Sequence, residues 1–243
     1  MENEKNENKY LEFVTQSNEE TVLFIYGDIR KSSILERAWD IDDPTRTGAY
    51  DFAEKLASIT TPKLTVRINS NGGSVSEGLA IYNLLRNSGK QITTICDGFA
   101  ASAASIIYCA GEIRKQPKTA LLMIHNAWTD GGSGNAQYFR KLAEDLETIT
   151  QPSVEAYKLV SNLKEEEIKS LMQDETWITA DNALKWGFTT EIVTPDAQQS
   201  ISTDFMYNMV QKQEEMKEEI KNLKSQLNAS DPCGWGGFFN TKK

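Results

Sequence analysis

Apolar residues along this chain alternate between short continuous runs and helical spacing. Val22-Leu23-Phe24-Ile25-Tyr26 reads as a buried strand stopped by Gly27-Asp28. Residues 34–58 carry a helical pattern interrupted near Asp42-Asp43-Pro44. Leu64-Thr65-Val66-Arg67-Ile68 reads as a second strand running into the turn signal Asn71-Gly72-Gly73. Val75, Leu79, Tyr82 and Leu85 then recur at helical spacing. Ile92–Cys96 is a third strand, which Gly98 is expected to break, and residues 101–110 form a tightly packed helix of small and apolar residues. Ala120–Ile124 is a fourth strand leading into His125. After Gly131-Gly132-Ser133-Gly134 a long helical region begins, which Pro152 is expected to interrupt or restart. Leu163–Met172 reads as a further helix, Thr179 as the N-cap of another, and Phe188–Val193 as a last strand. The strand–helix alternation predicts an α/β fold.

The pattern divides the chain into four parts. Residues 1–19 are expected to be a flexible N-terminus, 20–194 the folded domain, and 195–204 a polar linker. Residues 205–243 are expected to form a C-terminal helical, coiled-coil extension with an aromatic tail. Met206, Gln213, Ile220 and Leu227 fall on one position of a weak heptad, and Met209, Met216 and Leu223 on the other. The tail, Trp235-Gly236-Gly237-Phe238-Phe239, reads as a docking peptide or as an unstructured end.

Composition narrows the function. A net charge of −9 over 243 residues argues against general affinity for nucleic acid or anionic membrane. No apolar run is long enough to span a bilayer, and the first nine residues lack a signal-peptide core, so a cytosolic protein is expected. Cys96, Cys109 and Cys233 form neither a disulfide framework nor a metal-binding pair. Cys96 and Cys109 read as small core residues. No metal or organic cofactor is expected.

The chain holds a single histidine, His125, at the end of an apolar run. A serine hydroxyl becomes a nucleophile when a neighbouring base takes its proton, and histidine suits that task near neutral pH. Ser102 begins a helix directly after a strand. Gly72-Gly73 allows close approach of backbone to a substrate, and Asp174-Glu175 offers a carboxylate to orient the imidazole. Singly, each signal has a bland explanation: packing for the serine, a turn for the glycines, a solvated surface for the acidic pair. Their joint occurrence, in this order, is far more specific.

Asn69-Ser70-Asn71-Gly72-Gly73-Ser74-Val75, Gly98-Phe99-Ala100-Ala101-Ser102 and Met123-Ile124-His125-Asn126 resemble the motifs of the Clp protease proteolytic subunit family, over roughly residues 20–193. More narrowly, the chain resembles the Clp-like head maturation (prohead) proteases of tailed bacteriophages. The features are Glu175-Thr176-Trp177, His125-Asn126-Ala127-Trp128, Ala101-Ser102-Ala103-Ala104-Ser105 and the C-terminal extension. The resemblance implies a Clp-protease/crotonase-like spiral of strand–turn–helix repeats. It implies Ser102 as nucleophile and His125 as base, with Glu175 as third member and Asp174 as the alternative. It implies Gly73 and Ala103 as oxyanion-hole donors, and Gly72, Ser74, Val75 and Asn126 as substrate-binding positions. Residues 133–162 would form a handle that mediates ring stacking, and substrate would bind as an added strand.

The function expected from this resemblance is a serine endopeptidase of phage head maturation. It would cleave scaffold and major capsid protein, and itself, within a procapsid assembling in the bacterial cytoplasm. It would act as a homo-oligomeric, stacked ring without nucleic acid or membrane. The alternatives are a Clp-type subunit acting with an ATPase unfoldase, a non-catalytic assembly or scaffold protein, and a crotonase-like acyl-CoA enzyme. The order Ser102 then His125 does not suit the last.

Overall fold

The structure, a computed structural model, describes residues 13–17, 19–33, 36 and 45–194. Most of the helical pattern before Asp43, the expected linker 195–204 and the heptads and aromatic tail of 205–243 lie outside the described residues. Strand β1 (Phe13–Ser17) falls within the expected N-terminal segment and pairs antiparallel with β2 (Glu20–Ile29). The remaining strands are β3 (Arg46–Thr47), β4 (Lys63–Gly73), β5 (Gln91–Ala101), β6 (Ile113–Pro117), β7 (Leu121–Ile124), β8 (Thr176–Thr179) and β9 (Glu191–Val193). Among the described residues they form one sheet in the order β1-β2-β4-β5-β6-β9, with β3 on β2 and β7 bridging β5 to β8. Pairing is parallel from β2 through β9 along that path, as strand–helix–strand crossovers require.

Helices α1 (Ala49–Ser58), α2 (Val75–Arg86), α3 (Ala103–Tyr108), α4 (Ala136–Lys158), α5 (Glu165–Gln173) and α6 (Ala180–Trp186) accompany the sheet. The core is continuous: Leu23, Ile25, Leu64, Ile68 and Cys96 from the strands meet Phe52, Ile81, Leu85, Ile107 and Tyr157 from the helices. Cys96 and Cys109 are buried free thiols. No described helix is long and apolar enough to cross a membrane.

Three expected boundaries differ from the structure. Asn71-Gly72-Gly73 is not a turn that ends β4. The strand continues through it, and after a one-residue shift in register Gly72 and Gly73 pair with Asp28 and Ile29 of β2. Gly98 does not end β5 either. The register jumps from Ile68↔Cys96 to Ser70↔Ala100, so β5 carries extra residues as a bulge. A Cβ on Gly98 would sit 2.6 Å from Asn69 Oδ1, which accepts the Phe99 N–H. Asp97, beside it, accepts from Arg67 and from the Tyr26 hydroxyl. The bulge redirects the strand: Thr93–Ile95 pair with β6, and Phe99–Ala101 pair with β7. Finally, Pro152 lies inside α4, which runs unbroken across it. The missing N–H deprives only the Thr148 carbonyl of its helical donor, while Val154 and Tyr157 just beyond are buried in the core.

Candidate active site

The redirected end of β5 delivers Ser102 into a sharp strand-to-helix turn. Its N–H donates to the Met123 carbonyl at 2.9 Å, extending the β5–β7 contact by one residue. Its backbone takes φ 54 and ψ −125, a conformation that non-glycine residues rarely adopt. Such strain costs about 1–3 kcal/mol, and the buried turn of α3 behind it holds it in place. β7 then delivers His125, and the two side chains meet: His125 Nε2 lies 2.7 Å from Ser102 Oγ. Burial pushes the imidazole below its ordinary value, and the Glu175 carboxylate opposes this in part. The ring is therefore neutral near pH 7 and able to accept the serine proton.

The β7–β8 ladder ends beside the two candidate carboxylates. Met123 pairs with Trp177 and Ile124 with Thr176. That last pair brings the chain to His125 on one strand and to Glu175 on the other. Glu175 is also the acid whose charge reaches the ring, while Asp174 caps α5. Glu175 has φ 49 at the reversal between α5 and β8, and its N–H donates to the Met172 carbonyl. That same carbonyl accepts the Asn126 N–H at 3.3 Å, which ties the turn to the segment following the histidine.

A cleft of about 520 Å³ opens at this pair. Gly72, Gly73, Ser74 and Val75 line one side and Asn126, Ala127 and Trp128 the other, so all four expected substrate-binding positions border it. Gly72 packs against the serine turn itself: a Cβ there would lie 2.6 Å from the Ala101 carbonyl and 2.7 Å from Ser102 Cβ, and its φ is +98. Gly73 and Ala103 also line the cleft. The Ala103 N–H opens α3, so it has no helical acceptor.

A sequence profile of the Clp protease family matches residues 17–196. The chain belongs to the Clp protease family. It is 34% identical over 134 residues to ATP-dependent Clp protease proteolytic subunit 2 of Thermobifida fusca, covering 54% of this chain and 65% of that protein. It is 27% identical over 179 residues to the ATP-dependent Clp protease proteolytic subunit of Borreliella afzelii, covering 72% and 90%. It is 28% identical over 181 residues to the corresponding subunit of Bacteroides fragilis strain ATCC 25285, covering 71% and 84%.

Within this Clp-family domain the structure adds residues that the sequence pattern did not single out. Thr150, Ser153 and Tyr157 are buried on α4, and the last two line the cleft. Thr150 Oγ1 accepts the Ala127 N–H at 3.0 Å and fixes the wall beyond the histidine. Thr150 and Tyr157 are seven residues apart and so share one helix face. In a sequence they look like ordinary helix residues, because their partners lie 23 and 52 positions away.

Proposed function

We propose that this chain is a Clp-type serine endopeptidase. The observation that carries the reading is the 2.7 Å contact between Ser102 Oγ and His125 Nε2 at a strained strand-to-helix turn opening on a cleft. In this reading Ser102 Oγ attacks the peptide carbonyl while His125 Nε2 takes its proton. Glu175 stabilises the imidazolium, and the N–H groups of Ala103 and Gly73 receive the oxyanion. His125 then protonates the leaving amine, which departs and leaves an acyl-Ser102 ester. Water, deprotonated by the same ring, hydrolyses the ester. Substrate lies as an extended strand between the Gly72–Val75 edge and the Asn126–Trp128 edge, held mainly through main-chain hydrogen bonds. Such binding selects sequence weakly.

Within that class we infer a head maturation protease of a tailed phage. It would work as a homo-oligomeric ring and cut scaffold and capsid protein, and itself, inside a procapsid. The supporting features are His125-Asn126-Ala127-Trp128, Glu175-Thr176-Trp177 and the 49 residues beyond Thr194, which carry heptads and an aromatic tail. Co-expression with the candidate scaffold and capsid proteins, read by intact mass, tests it. Shortened products are expected with wild type and not with Ser102→Ala; unshortened scaffold and capsid beside an active enzyme would overturn the phage assignment. A second reading is favoured by the relatives, which are ATP-dependent Clp protease proteolytic subunits. It makes this chain the peptidase of an ATP-driven unfoldase. ATP-dependent loss of a folded substrate in the presence of a co-purifying ATPase would establish that alternative.

A further inference from the structure

The Ser102 carbonyl is held by two donors. The Ser105 N–H reaches it at 3.0 Å and Ser105 Oγ at 2.6 Å. Ser105 Oγ is in turn 2.8 Å from the Tyr157 hydroxyl, and both residues are almost completely buried, at 1% exposure each. The directions of these bonds follow from the chemistry. A carbonyl only accepts, so the single proton of Ser105 goes to Ser102. Tyr157 must therefore donate to Ser105. Burial keeps its phenol protonated well above neutral pH.

A trans peptide is planar, so its C=O and N–H point in opposite directions. Holding the Ser102 carbonyl into the protein turns the N–H of the same peptide unit, that of Ala103, the other way. Ala103 lines the cleft. We propose that Tyr157 is a positioning residue that acts through Ser105 on the Ser102–Ala103 peptide and so aims the Ala103 N–H at the developing oxyanion. This rests on the serine-peptidase reading above. The placement also explains why a buried hydroxyl from α4 is spent on this turn: the conformation of Ser102 is intrinsically unfavourable, and one carbonyl with two donors resists relaxation of it.

An oxyanion donor acts on the transition state and not on the bound substrate. Tyr157→Phe and Ser105→Ala are each expected to lower kcat on a peptide substrate by about tenfold, with KM unchanged. The decrease is less than that for removing a donor outright, because the Ser105 N–H remains. A peptide boronate, which mimics the tetrahedral intermediate, should bind more weakly by the same factor, whereas a product peptide should bind as before. The double variant should match either single variant, since both break one chain of bonds. Tyr157→Phe removes one oxygen from the core. Should it unfold, Ser105→Ala carries the test alone, with thermal unfolding recorded beside it. Unchanged kcat in a folded variant, a rise in KM alone, or losses that multiply in the double variant would each overturn the proposal. A wild type that neither hydrolyses peptide nor binds the boronate would overturn the hydrolase reading itself.

Discussion

Ser102 is constrained twice, by a positive φ that its own side chain disfavours and by a short contact to the chain's single histidine. Both constraints belong to the residue. His125 titrates below its ordinary value because burial outweighs the attraction of Glu175. A base must be neutral to act, so activity should rise with pH through an acidic limb lying below the usual histidine value of about 6.5. Glu175→Gln removes the charge that favours the imidazolium. The limb should move further down in pH while kcat falls by roughly 10³- to 10⁴-fold; a pH–rate profile of both proteins checks this. Glu175 also occupies a left-handed backbone position, where glycine is at ease. Glu175→Gly should therefore keep the melting temperature within a few degrees and still lose activity. Calorimetry beside a peptide assay would thus separate carboxylate from turn. The candidates Ser102, His125 and Glu175 were legible in the sequence because residue type and order carry that signal. The ranking of Glu175 over Asp174 rests on the family resemblance, because residue type and periodicity treat the two neighbouring acids alike.

At the scale of elements, the site depends on where strands change partner. The alternation of apolar runs and helical spacing located most of the strands and helices. It misjudged glycines, which look alike in sequence whether they end a strand or let another backbone come close. Gly98 belongs to the second kind, because the space a Cβ would need is taken by Asn69, and its bulge swings β5 from β6 to β7. Gly72 likewise stays in a strand and abuts the serine turn. Gly72→Ala places a Cβ within 2.7 Å of both the Ala101 carbonyl and Ser102 Cβ, so Ser102 must move. Peptidase activity should fall at least a hundredfold, because a shift of about 1 Å at a reacting group is enough for that, and a steady-state assay on folded protein checks it. Short β6 escaped the sequence reading because Ile113-Arg114-Lys115-Gln116-Pro117 lacks an apolar run. Its buried Arg114 instead serves the backbone, donating to the carbonyls of Gly111, Gly187 and Phe188. Arg114→Met strands these acceptors and should lower unfolding free energy by roughly 3 kcal/mol, measured by urea denaturation.

At the scale of the whole molecule, the first half of α4 carries an apolar stripe that the other described residues leave partly exposed. Phe139, Leu142, Leu146 and Ile149 recur at three- and four-residue spacing, and Phe139 and Ile149 remain about half exposed. A stripe of that kind on a polar helix suits a second copy of the chain. We expect a homo-oligomer in solution, and Phe139→Asp should shift sedimentation toward smaller species. The ring expected from the family resemblance was not readable from composition or periodicity, because a stripe on one helix does not count subunits. Labelling with a fluorophosphonate decides whether Ser102, activated by His125, is the nucleophile of a peptidase. Wild type should gain one adduct, mapped by peptide mass to Ser102, and lose peptidase activity in step. Ser102→Ala should gain none, and His125→Ala should label slower by several orders of magnitude. An adduct at another residue, or full peptidase activity in Ser102→Ala, would rule Ser102 out as the nucleophile.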